Sequence, residues 1–202
     1  MKILKNSVVL FQGDSVTDCN RDRLDINSLG DSYVRILNEV FKEKNIKVIN
    51  KAISGNRVDH LLERFDNDFK SINPDYLFLL IGVNDTWHDY PNCKKNEVFY
   101  QEFDLLLSRI KNEMNCEVVI LEPFIIGSKT EITCMRTDLL KKVEIIRELT
   151  RKYHYELITF ENRFAEAMVN DDEELYSIEG IHPKELGYKL MAKTILEKIE
   201  LE

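Results

Sequence analysis

Four short segments, far apart in the chain, carry the side chains that acyl transfer requires. In Val8-Val9-Leu10-Phe11-Gln12-Gly13-Asp14-Ser15-Val16-Thr17-Asp18, an apolar run stops at a glycine and a serine follows two residues later. Ser15 is the candidate nucleophile, although a serine in this position is more often a helix N-cap. Ser54-Gly55-Asn56 and Gly82-Val83-Asn84-Asp85 are small-residue turns, each following another apolar run. A serine nucleophile needs donors aimed at the developing oxyanion. The backbone N–H of Ser15, the backbone N–H of Gly55 and the side-chain amide of Asn84 are of the right kind. Gly55 alone could be a turn glycine and Asn84 alone a helix cap. Their position after successive strands points to one shared crevice.

The base must come from four histidines. His60 lies in a helical pattern beside Leu61 and Leu62. His154 sits near a helix end, where a histidine complements the dipole. His88 follows Trp87 in the loop after the third apolar run. His182 stands in Ser177-Ile178-Glu179-Gly180-Ile181-His182-Pro183, with a carboxylate three residues upstream. A general base needs a partner on its second ring nitrogen to fix the tautomer and steady the imidazolium. Glu179 can supply it, which makes His182 the candidate base.

The elements that must position these residues follow one rhythm. Strands are expected near 7–12, 47–52, 76–81, 117–122 and 156–160. Helix-period segments lie between and after them, near 30–44, 57–71, 95–114, 134–153 and 184–200. The third strand is apolar throughout, as in a strand buried on both faces. This alternation predicts one α/β domain over residues 1–202, with a mainly parallel five-stranded sheet. The carboxyl ends of neighbouring parallel strands open onto one crevice, so Ser15, Gly55 and Asn84 are expected to meet there.

Composition narrows the function. The chain has 202 residues, 44% hydrophobic and 32% charged, which fits a folded domain. Its formal charge of −8 argues against a nucleic-acid partner. No apolar run approaches the roughly 18 residues of a membrane span. The short apolar run after Lys2 and Lys5 reads as the first strand rather than a secretory leader, so a cytoplasmic location is expected. Cys19, Cys93, Cys116 and Cys134 form no Cys-x-x-Cys pair, so thiols are expected rather than a zinc site or disulfide framework.

Taken together, the blocks resemble the SGNH hydrolases of the GDSL esterase/lipase superfamily. Gly13-Asp14-Ser15-Val16-Thr17-Asp18 resembles the first block, Ser54-Gly55-Asn56 the second, Gly82-Val83-Asn84-Asp85 the third and Glu179-Gly180-Ile181-His182-Pro183 the last. They keep the family's order across nearly the whole chain. Within the family, residues 13–23, 50–56 and 81–87 are similar to the intracellular carbohydrate acetylesterases, acetylxylan esterases among them. The resemblance implies a flavodoxin-like three-layer α/β/α sandwich and a Ser15–His182–Glu179 triad. It also implies an oxyanion hole of Ser15, Gly55 and Asn84, with no metal and no cofactor. One position departs from the pattern: the family usually has aspartate where this chain has Glu179. Glu179 could still orient His182, a backbone carbonyl could do most of that work, or activity could be impaired. The first is expected, because glutamate fills this role in other hydrolases.

Three other readings fit less well. In an FMN-binding module, Asp14 and Asp18 would repel the phosphate and His182 would have no task. An α/β-hydrolase elbow needs a second glycine where Thr17 stands. Asp18-x-Asn20-x-Asp22 begins like a calcium loop, but Arg23 and Leu29 occupy its glycine and bidentate-glutamate positions. The expected substrate is a short-chain ester, acetate on a carbohydrate above all, with an acetylated oligosaccharide as the larger form. Short-chain thioesters and lysophospholipids are the alternatives. Trp87, His88 and Tyr90, in the loop after the third strand, could line the pocket, aromatic rings being suited to stack on sugars, or could pack the loop against the domain; Asp14, Trp87 and Tyr90 are the candidate substrate-binding residues. Apolar helix faces leave room for a homo-oligomer.

Overall fold

A computed structural model describes residues 1–128 and 131–202. Its central sheet has five parallel strands: β2 (Val8–Gly13), β3 (Lys47–Asn50), β4 (Tyr76–Leu80), β5 (Glu117–Leu121) and β6 (Glu156–Ile158). Their order across the sheet is β3-β2-β4-β5-β6. Val9 pairs with Val48 on one side and Tyr76 on the other, and Gly13 ends beside Leu80. The strand order reverses at β2, which is where ligands bind in open parallel sheets. The termini add a two-stranded ribbon, β1 (Lys2–Ile3) with β7 (Glu200–Leu201). Two residues per strand are too few for a readable alternation, so the sequence gives no sign of it.

Both faces of the sheet are covered. Alternate strand residues point to opposite sides: Val9, Phe11 and Phe78 join one apolar cluster, Leu10, Leu77 and Leu79 the other. On the first face lie α2 (Tyr33–Phe41), α7 (Glu161–Ala167) and α8 (Glu185–Leu196), through Leu37, Phe164 and Ile195. On the second lie α3 (Val58–Glu63) and α5 (Asn96–Glu113), through Leu61 and Phe103. The long helix α6 (Arg136–Tyr153) gives Leu139 and Val143 to one cluster and Ile146 and Leu149 to the other. Phe11 stacks on Phe78 at 4.9 Å between ring centres, locking β2 to β4 beneath the crevice.

The helix expected over 57–71 is broken. After α3 the chain widens into a π-helical turn, Asp66–Lys70, in which Ser71 N donates to Asp66 O. Gln12, buried in β2, donates its side-chain amide to Asp68 O at 2.7 Å, and Arg64 reaches both Asp68 and Lys51 O. These side chains supply partners that a regular helix would not need. Two one-turn helices, α1 (Ser15–Asp18) and α4 (Asn84–Trp87), start directly after β2 and after the turn that follows β4. They carry two of the four candidate segments. Among the described residues, no helix is long and apolar enough to cross a membrane.

Candidate active site

β2 must end in glycine for a steric reason. A Cβ on Gly13 would lie 2.2 Å from Leu80 O, inside the neighbouring strand. The chain then turns into α1, whose N-cap is Asp14; its Oδ1 accepts from Val16 N at 3.1 Å. Ser15 therefore opens a helix, and its N–H is one of the first-turn donors left without an intrahelical partner. The side chain of Asp18 turns toward the second strand. Its Oδ2 accepts from Ser54 N at 2.8 Å, Ser54 Oγ at 2.7 Å and Arg23 Nη2 at 2.6 Å. The first block thus holds the Ser54–Gly55 turn in place. Burial raises the Asp18 pKa, but these three partners outweigh it and the net shift is downward.

Gly55 adopts φ +81°, a conformation that favours glycine. Its N–H donates to no group among the described residues. Asn84, buried at the start of α4, donates from Nδ2 to Asn56 O at 3.0 Å. An amide nitrogen carries two hydrogens, so one N–H of Asn84 remains for a ligand. The next residue, Asp85, is fully buried. It accepts from Val58 N at 3.4 Å and pairs with Lys94 at 2.9 Å, tying α4 to the start of α3. Burial raises its pKa to about 6.

Ser15 Oγ lies 2.8 Å from His182 Nε2. His182 Nδ1 bonds Glu179 Oε1, which also accepts from the His182 backbone N–H at 2.7 Å. The three residues form a continuous hydroxyl–imidazole–carboxylate path, the arrangement that a serine hydrolase triad requires. Glutamate reaches the ring because Glu179 and His182 occupy one tight loop. That loop is closed by a bridge between Ser177 and Pro183, and Lys184 caps α8 just beyond. Burial raises the Glu179 pKa, the N–H and ring of His182 lower it more, and the net direction is down. Glu179 is thus held as the carboxylate.

Ser177 is a positioning residue that sequence reasoning missed. Its Oγ accepts from Gly180 N at 2.8 Å. Its proton is shared between His182 O at 2.8 Å and Glu179 Oε2 at 3.1 Å. A short-range signal existed, since a serine two residues before a carboxylate in a Gly-containing loop favours local hydrogen bonding.

The other histidines separate cleanly. His60 Nδ1 accepts from Arg57 N and so caps α3. His154 ends α6 at φ +58°. His88 stands at the crevice rim, close to Gly55.

The three expected substrate-binding residues part company. The Trp87 ring is 5.5 Å from the His182 ring and packs on the first apolar cluster, so it lines the site and supports it. Asp14, expected to bind substrate, is instead buried at 1% exposure, and its carboxylate is turned inward to cap α1. Burial raises its pKa to about 7. Tyr90 lines a separate surface cleft with Cys93, Cys134 and Asp138.

One set of carboxylates among the described residues, Asp59, Asp85 and Glu102, lies close enough together to hold a cation. The Lys94 ammonium already sits among them, 3.0 Å from Asp59 and 2.9 Å from Asp85, with Glu102 as its third partner.

The family model for GDSL-like lipases and acylhydrolases matches residues 11–190, which include every block of this site. The chain belongs to that family. It is a carboxylic ester hydrolase. The acylhydrolase is 29% identical to an acetylxylan esterase of Geobacillus stearothermophilus, over all of this chain and 98% of that one. The crystal structure of an acetylxylan esterase from the same organism superposes with a TM-score of 0.87 at 25% identity, covering 98% of this chain and 96% of the other. A GDSL-like lipase candidate from Parabacteroides merdae is also similar, with a TM-score of 0.89 at 32% identity over 96% of both chains. These neighbours share the α/β architecture expected from strand–helix alternation.

Proposed function

We propose that this acylhydrolase is a serine acetylesterase that removes short acyl groups, acetate above all, from carbohydrate hydroxyls. The observation that carries the reading is the continuous path Ser15 Oγ–His182 Nε2, His182 Nδ1–Glu179. His182 takes the Ser15 proton as Oγ attacks the ester carbonyl. The N–H groups of Ser15 and Gly55 and the free N–H of Asn84 hold the oxyanion. Glu179 keeps the Nδ1 proton in place and stabilises the imidazolium. His182 then protonates the leaving alcohol, and water repeats the sequence to release the acid and restore Ser15. The relative from Geobacillus supports both mechanism and substrate. It is an acetylxylan esterase, and its solved structures include catalytic mutants of a serine, an aspartate and a histidine. The aspartate precedes that histidine by three positions, the same spacing as Glu179 and His182.

The test is a hydrolysis panel. p-Nitrophenyl esters of rising chain length are run beside acetylated xylose and acetylated xylo-oligosaccharides. The reading expects activity greatest on acetyl esters and present on the sugars. Activity rising beyond the C8 ester, with none on acetylated sugars, contradicts it.

A further inference from the structure

His88 has no assigned task in the chemistry above, yet it occupies the rim of the crevice. Its backbone N–H closes α4 on Asn84 O at 3.1 Å, so its position is set by the helix that presents Asn84. The ring lies 6.3 Å from Trp87, which in turn lies 5.5 Å from His182. Its Nε2 faces Gly55: a methyl group placed on that glycine would sit 3.9 Å from it. The loop is fastened across the crevice by Arg57, which pairs with Asp89 at 3.4 Å. The rim therefore runs His182, Trp87, His88, Gly55. His88 is exposed, and among the described residues neither ring nitrogen has a hydrogen-bond partner.

We propose that His88 is a specificity-determining residue that binds a free hydroxyl of the alcohol next to the scissile ester. The inference rests on the acetylesterase reading. An acetyl group offers only a methyl and the carbonyl oxygen, and the oxyanion donors take the oxygen. A polar partner for His88 must then lie on the alcohol. A neutral imidazole presents one donor and one acceptor, which suits a hydroxyl that both gives and accepts. A sugar carrying one acetyl group has such a hydroxyl on the adjoining carbon. Fully acetylated sugars and p-nitrophenyl acetate do not.

The experiment compares the parent with His88→Leu and His88→Gln. Substrates are a mono-acetylated xyloside, peracetylated xylose and p-nitrophenyl acetate. For His88→Leu the ratio of kcat/KM on the mono-acetylated xyloside to that on p-nitrophenyl acetate falls about tenfold, the usual effect of one hydrogen bond. The loss appears in KM more than in kcat. The corresponding ratio for peracetylated xylose moves less than twofold, and His88→Gln recovers most of the loss because it keeps a donor and an acceptor. If the parent hydrolyses the mono-acetylated xyloside and His88→Leu leaves the ratio unchanged, the role of His88 is overturned while the esterase reading stands. If His88→Leu lowers all three substrates equally, the residue supports the fold rather than reading the alcohol, and the proposal again falls. A parent inactive on both sugars but active on p-nitrophenyl acetate overturns the carbohydrate reading and this inference together.

Discussion

The donor side of the crevice is anchored from beneath, whereas the base side is held from within its own loop. Ser15, Gly55 and Asn84 stand on Asp14, Asp18 and Asp85, three buried carboxylates that bond backbone N–H groups of α1, the Ser54 turn and α3. Glu179 and His182 are half-exposed and depend on Ser177 and on each other. One main-chain bond, Ile126 N to Gly180 O at 2.7 Å, ties their loop to the segment after β5. The carboxylates show the difference most plainly. Burial raises Asp14 to about 7, while hydrogen bonds to His182 outweigh burial and lower Glu179. On the donor side burial raises Asp14 and Asp85, while Ser54 and Arg23 hold buried Asp18 as the carboxylate; on the base side His182 holds half-exposed Glu179 as the carboxylate. Changes on the base side should therefore cost activity with little loss of stability. Changes beneath the donor side should be felt in stability too.

The largest expected effect is His182→Ala, which lowers kcat for p-nitrophenyl acetate by about 10⁶-fold while the melting temperature stays within a few degrees. A loss below about 10²-fold would remove His182 from the triad. Glu179→Gln comes next, at roughly 10³- to 10⁴-fold in kcat, because the ring then lacks its carboxylate but keeps its place in the loop. If it costs less than tenfold, a backbone carbonyl orients the imidazole instead. Asn84→Ala is expected to lower kcat by about 10²- to 10³-fold, the usual effect of one lost oxyanion donor. It should also lower the urea midpoint, since Asn84 is buried and its bond to Asn56 O is lost.

Asp14→Asn gives the smallest effect on rate and the clearest on stability. The folded-state pKa of Asp14 is raised, so its contribution is fully present below pH 3.8 and is lost as pH rises through about 7. Asparagine still caps α1 and carries no charge. Urea denaturation of the parent and the variant at pH 5 and pH 8 should show the parent losing stability relative to Asp14→Asn as pH rises. Parallel behaviour at both values would mean that Asp14 is solvated.

How much of this was legible in the sequence depended on the range of the interaction. β2, β4 and β5 were readable because short apolar runs, rich in β-branched or aromatic residues and bounded by turn residues, read as buried strands, and each lies within a residue of its expected ends. Glu179 and His182 were readable because their partnership is local. Residues 57–71 were not, since the partners of the widened turn, Gln12 on Asp68 O and Lys51 O on Arg64, come from distant parts of the chain. α7 was missed because its seven residues bury one large side chain, Phe164, and give no periodicity. Where Asp14 and Tyr90 face was not legible for another reason. Spacing tells which residues are near the nucleophile, but the local turn decides which way they face.

The central claim is that Ser15 is the nucleophile, activated by His182. A p-nitrophenyl phosphonate ester tests it directly, because an activated serine displaces p-nitrophenolate from phosphorus and is left as a stable phosphonyl ester. After tryptic digestion and mass spectrometry, the account predicts one adduct per chain, on Ser15. An adduct on another residue, with Ser15 unmodified, would contradict it.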